Sequence, residues 1–131
     1  PHPEGGWYGQ TWRDDPADGS RGSGSAIYFL LAAGVSSHWH RVDAAEVWHH
    51  YAGDPLELAI SEPGHHRVVT LTGDLSVGEP QAIVPVGAWQ AARTTGAWTL
   101  VGATVSPAFE FEGFELAGPG WQPEGWPTPG W

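Results

Sequence analysis

No stretch of this 131-residue chain keeps a helical period for three turns, whereas short β-prone runs recur every ~8–12 residues with turn residues between them. Residues 7–13 alternate aromatic and polar side chains, as a half-buried strand does, and residues 14–25 form a Gly/Asp/Ser loop. Residues 26–31, Ala-Ile-Tyr-Phe-Leu-Leu, read as a fully buried strand. Further strands are expected at residues 38–42, 46–51, 56–60, 67–71, 82–84, 89–93, 98–104 and 109–116. Such a series cannot cover its apolar faces with helices, so the strands must cover one another in an all-β sandwich or barrel.

Length allows one domain with a real core, and the 40% hydrophobic and 15% charged content is that of a folded protein. The acids outnumber the bases 15 to 5, with no lysine, for a net charge of −10. That excludes nucleic acid, whose phosphates need clustered cations, and an anionic membrane surface. No cysteine is present, so disulfides, thiolate catalysis and cysteine-based zinc sites are excluded. No apolar run reaches the ~18 residues of a membrane span, and no signal-peptide pattern is visible, so a cytoplasmic protein is expected. The chain begins at Pro1, as a trimmed piece of something longer would.

The chemistry concentrates in two stretches. The first runs from Gly34 through His38, His40 and Glu46 to Gly53, and the second from Gly78 through Pro85 and Gly87 to Gln90. Alternate residues on a strand share a face, so His38 and His40 are expected to project together, and Glu46, Trp48 and His50 form a second set. Gln90 follows a Pro-x-Gly turn that aims its strand inward. Two imidazoles and a carboxylate suit one divalent metal such as Fe, Mn, Ni or Zn, with Gln90 as a fourth, weaker donor. Without metal, the same groups suit acid–base work, because histidine titrates near neutrality and burial raises a glutamate toward it.

These stretches resemble the two motifs of the cupin superfamily. The whole chain is similar to one small single-domain cupin subfamily: Pro1-His-Pro-Glu-Gly-Gly-Trp-Tyr8, Trp39-His-Arg-Val42, Glu46-Val-Trp-His49, Gly53-Asp-Pro-Leu-Glu-Leu58, Val84-Pro-x-Gly-x-Trp-Gln-Ala-Ala-Arg93 and Phe114-Glu-Leu-Ala117. The resemblance implies a double-stranded β-helix, or jelly-roll barrel, over residues 1–117 and usually a homodimer. The Pro/Gly/Trp-rich tail, residues 118–131, is expected to drape over that barrel or over a partner subunit. Departures from the wider cupin pattern are Gln90 where metal-binding cupins carry a third His, Thr94 where Asn is usual, and one extra residue between His40 and Glu46. That extra residue calls for a β-bulge there.

Neighbouring His49 and His50 face opposite ways, so only one of them lines a cavity; strand period favours His50 and the subfamily motif favours His49. Trp48 and Trp89 are candidate walls for a ring-shaped ligand. Arg93 and Arg41 suit an anionic ligand or an ion pair, His65 and His66 sit in a solvated turn, and Glu4 with His2 has a ligand-binding or a structural role. Three functions fit. In an isomerase or epimerase of a carbohydrate or hydroxy-carbonyl metabolite, His40 is the base, Glu46 its partner and Gln90 holds a substrate oxygen. A metal-dependent oxygenase or lyase would use His38, His40, Glu46 and Gln90. A non-catalytic protein would simply capture a small ligand. A storage-like structural barrel fits worst, because buried His, Glu and Gln need partners once desolvated.

Overall fold

The computed structural model describes every residue except Pro129. Ten strands form two five-stranded antiparallel sheets, and no α-helix occurs among the described residues. Sheet A has the order β1 (Trp7–Arg13), β2 (Ser25–Ala32), β9 (Trp98–Ser106), β4 (Ala45–Gly53), β7 (Gln81–Val84). Sheet B has the order β10 (Phe114–Leu116), β3 (Ser36–Val42), β8 (Trp89–Thr94), β5 (Leu56–Glu62), β6 (His65–Leu71). The sheets close on each other as a single jelly-roll barrel. Among the described residues no helix is long and apolar enough to cross a membrane.

The strand period explains the core. Phe29 and Leu31 from β2, Trp48 from β4, Leu56, Leu58 and Ile60 from β5, and Val101 from β9 all point inward and are fully buried. Each contributes roughly 1.5–3 kcal/mol by leaving water. A second cluster lies on the outer face of sheet B. There Trp39, Ala59 and Ala91 are covered by the tail through Trp126, whose ring meets Trp39 edge-on at 4.9 Å.

Two expected strands come out differently. Residues 7–13 form an edge strand whose first six residues are exposed rather than half-buried. Residues 109–116 are not one strand. A 3-10 turn at Phe111–Gly113 precedes the short β10, because the backbone must pass tightly under Asp43, whose carboxylate occupies the place of a Gly113 side chain.

Candidate functional site

The site is assembled from four separate segments at one end of the barrel. β3 supplies His40, β4 supplies Glu46, β8 supplies Gln90, and the N-terminal segment supplies Glu4. All four are buried. The segment reaches the floor because Gly5 and Gly6 adopt positive φ, and a Cβ on Gly5 would collide with the Ser36 carbonyl. The Glu4 carbonyl then accepts from His38 N–H at 2.7 Å, which fixes the segment against β3.

Two hydrogen-bond chains meet here, and their donors can be assigned by chemistry. His40 Nδ1 lies 2.7 Å from the His38 carbonyl oxygen, which only accepts, so Nδ1 carries a proton. Its Nε2 lies 2.8 Å from Glu4 Oε2. On the opposite wall the Trp48 indole N–H donates to Gln90 Oε1 at 2.8 Å. An indole only donates, so the Gln90 amide cannot be flipped, and its NH₂ donates across the barrel to Glu46 Oε1 at 2.8 Å. Glu46 Oε2 has no protein hydrogen-bond partner among the described residues.

These groups open on a cavity of about 550 Å³, lined on its polar side by His2, Glu4, His40 and Glu46 and on its apolar side by Phe109, Phe111 and Phe114. Burial pushes the Glu46 carboxyl up to about 7; His40 opposes this, Glu4 adds to it, and the Gln90 hydrogen bond opposes it. For His40, burial alone would depress the imidazole, but the charge of Glu4, the hydrogen bond to it and the charge of Glu46 together raise it. His2 is lowered, chiefly by burial, against the pull of Glu4. It sits among Tyr8, Phe29, Phe109, Phe111 and Phe114 and acts there as a neutral ring.

Several expected site residues lie elsewhere. His38 does not face the cavity with His40, because β3 bulges between Ser37 and His40 where it pairs with β8. The extra residue reverses the alternation, and His38 Nε2 instead meets the Gly118 carbonyl of the tail at 2.9 Å. The bulge thus falls before His40. Neither His49 nor His50 lines the cavity. His49 is on the outer face against Thr104, and His50 points inward near the Asp54 carbonyl, away from the site. Trp89 faces outward and packs on Trp121 at 4.4 Å, while Trp48 is sealed in the core and acts through Gln90. Arg93 pairs with Glu57 and lies over the Trp131 ring, and Arg41 pairs with Glu115.

The donor set does not fit the expected metal. Of His38, His40, Glu46 and Gln90, only His40 and Glu46 reach the cavity with a free or exchangeable ligand atom. Gln90 spends its oxygen on Trp48 and presents N–H groups, which cannot ligate. Among the described residues no three His, Asp or Glu side chains are placed to hold a metal ion.

Sequence reasoning missed Tyr8, Gln10 and Arg13, which line the cavity from β1, and the phenylalanines of the 109–114 segment. The alternation in residues 7–10 carried a signal for Tyr8 and Gln10. Arg13 was hidden by a second bulge, between Gln10 and Trp12.

The comparisons agree with this fold. The model of the Cupin_5 family, described as cupin superfamily (DUF985), matches residues 1–117. A protein from Shewanella oneidensis of known crystal structure is 42% identical, with a TM-score of 0.83 over 88% of this chain and 76% of that one. A hypothetical protein from Leishmania major is 31% identical, with a TM-score of 0.80 over 89% and 80% of the two chains. Oxalate decarboxylase from Bacillus subtilis is 14% identical, with a TM-score of 0.67 over 87% of this chain and 29% of that one, a likeness of fold alone. Among curated proteins nothing matches. With its whole barrel covered by the family model and two relatives above 30% identity, the chain belongs to the DUF985 family of the cupin superfamily.

Proposed function

We propose that this cupin is a small-molecule isomerase or epimerase that moves a proton at a carbon beside the carbonyl of a carbohydrate-like or hydroxy-carbonyl metabolite. The observation that carries the reading is Glu46. One of its oxygens is fixed by Gln90, the other is free toward the cavity, and burial pushes the carboxyl up to about 7 beside His40. A base poised near the working pH combines availability with proton affinity. Glu46 Oε2 takes the proton from carbon, and the electron pair of the C–H bond forms the enediol double bond. The proton held between Glu4 and His40 goes to the carbonyl oxygen as its π pair opens. When a proton returns to the former carbonyl carbon and the neighbouring hydroxyl gives up its own proton as its C=O forms, the product is an isomer. When a proton returns to the opposite face of the original carbon and the former carbonyl oxygen gives its proton back, the product is an epimer.

The test is proton exchange in D₂O against a panel of hydroxy-aldehydes and hydroxy-ketones, followed by NMR. Loss of a substrate C–H signal with the native protein, and its retention with Glu46→Gln, is expected. Equal exchange by both proteins would refute the assignment, and binding without exchange would favour ligand capture.

We propose further that the protein pairs with a second copy through the outer face of sheet A. Trp7, Trp12, Tyr28, Tyr51 and Ile83 are exposed there, and Tyr28 and Tyr51 meet edge-on at 5.8 Å. No Asp, Glu or Arg projects from the paired positions of this face. In a chain of net charge −10 it is the surface on which two copies meet without repulsion. Five strands about 4.8 Å apart and some eight residues long give a patch on the order of 500 Å² in plan, the scale of one side of a stable interface.

A further inference from the structure

One wall of the cavity has no task in proton transfer, and it is built from a single strand. On β1, Tyr8 stands opposite Phe29, Gln10 opposite Ile27 and Arg13 opposite Ser25. All three side chains line the cavity. Regular alternation would send residue 12 inward and residue 13 outward. The bulge between Gln10 and Trp12 reverses this, so that Trp12 pairs with Ala26 on the outer face and Arg13 enters the cavity. Bulges of this kind re-aim a side chain at a chosen spot.

What Arg13 meets there is unusual for this protein. Arg21 is paired with Asp43, Arg41 with Glu115 and Arg93 with Glu57. Arg67, which has no carboxylate partner either, is exposed on β6 and donates to the Ile83 carbonyl. Arg13 lies in the cavity with no carboxylate at ion-pair distance among the described residues. One amino group donates to the Phe109 carbonyl at 2.6 Å, which holds the guanidinium in place and leaves its other N–H groups to a ligand. The side-chain hydrogen bonds from β1 are this one and that of the bulged Thr11 to the Ala26 carbonyl, so the Tyr8 hydroxyl and Gln10 amide are also uncommitted.

We propose that β1 forms the anion-recognition half of the site, in which Arg13 anchors the carboxylate of a hydroxy- or oxo-acid while Gln10 and Tyr8 hydrogen-bond its hydroxyl groups. The guanidinium fork matches a carboxylate in shape and charge. A single carboxylate is favoured over a phosphate dianion, because Glu110 and Glu112 line the same cavity and Arg13 is the one arginine there. The proposal narrows the substrate class of the isomerase reading and rests on it only for the direction in which the ligand lies. The acid group sits on β1 and the reacting carbon lies toward Glu46.

The experiment uses four pyranoses that differ in charge: glucuronate, glucose, glucosamine and glucose 6-phosphate, with acetate as the smallest carboxylate. Each is titrated into the full-length protein while the Arg13 Nε–H signal is followed by NMR, with sodium chloride at matched ionic strength as control. A saturable shift with glucuronate and with acetate is expected, with glucuronate binding about tenfold more weakly to Arg13→Gln. An Arg13 signal that responds to neither carboxylate beyond the chloride control overturns the proposal. So does tighter binding of glucosamine or glucose 6-phosphate than of glucuronate. If Arg13→Gln fails to fold, Gln10→Ala serves as the variant, with the hydroxyl-rich glucuronate weakened and acetate unchanged. Binding is read without turnover, so carboxylate recognition with no deuterium exchange would sink the isomerase reading and leave this one standing.

Discussion

At the residue scale two carboxylates have different tasks. Glu4 favours the protonated form of His40, and Glu46 is kept partly protonated by burial. Glu4→Gln should therefore lower the His40 titration midpoint, observable in its ring ¹⁵N signals; an unmoved midpoint would show that Glu4 only packs. Both raised groups act in the same direction on stability. A carboxyl whose folded value lies above its unfolded value favours the fold less as pH rises between the two, here from 4.5 to about 7. Stabilisation from the raised His40 is present below 6.5 and is lost as pH rises through its folded value. These two groups should thus lower stability from pH 5 to pH 8, against an opposite contribution below 6.5 from His2, whose folded value is lowered. Glu46→Gln should remove up to about 3 kcal/mol of that loss, measured by urea unfolding at both ends. A slope unchanged by the substitution would place the titrating group elsewhere. Added Zn²⁺ or Ni²⁺ should leave Tm unchanged, since His38 and Gln90 cannot join His40 and Glu46. A rise of several degrees that vanishes in His40→Ala would show that the side chains re-aim.

Among the elements, β4 and β8 follow a regular strand period through their site residues and β1 and β3 do not. Strand period put Glu46 and Trp48 on one face and the Pro-x-Gly turn aimed Gln90 inward; the structure buries all three, because β4 and β8 run regularly through those positions. It failed at His38 and at Arg13 for one physical reason. Each lies beside a bulge, and a single extra residue exchanges inside for outside along the rest of a strand. Nothing local in Ser37-His38-Trp39 or Gln10-Thr11-Trp12 marks the insertion; it is set by the partner strand. Glu4 was a candidate in the sequence, but its contact with His40 was not legible, since it spans the fold. The paired glycines after it were the visible clue. Gly5→Ala should destabilise the protein by about 2 kcal/mol or more, because it strains a positive-φ position and drives the segment off Ser36. It should also lower the His40 midpoint as Glu4→Gln does. Stability and midpoint both unchanged would mean that the segment finds another path.

Over the whole molecule, the two outer faces are treated differently. Sheet B is covered by the chain's own tail, with Trp126 and Trp131 against Trp39, whereas sheet A leaves its aromatic face open. Sedimentation should find a dimer that becomes a monomer when Tyr28 and Tyr51 are both replaced by Asp, with the barrel still folded. A native protein that sediments as a monomer would contradict the pairing. Neither face touches the cavity, so the Tyr28/Tyr51 variant should bind and exchange ligand as before. The tail covers sheet B of its own chain. On the two proposals together, the outer face of sheet A would serve association and the end closed by the N-terminal segment would serve chemistry. What joins the two halves at that end is the Trp48–Gln90–Glu46 chain across the barrel. The central claim is therefore best tested by the ¹³C titration of the Glu46 side-chain carboxyl, assigned by its loss in Glu46→Gln. A midpoint near 7 is predicted, and a midpoint in the ordinary glutamate range near 4.5 would contradict the account.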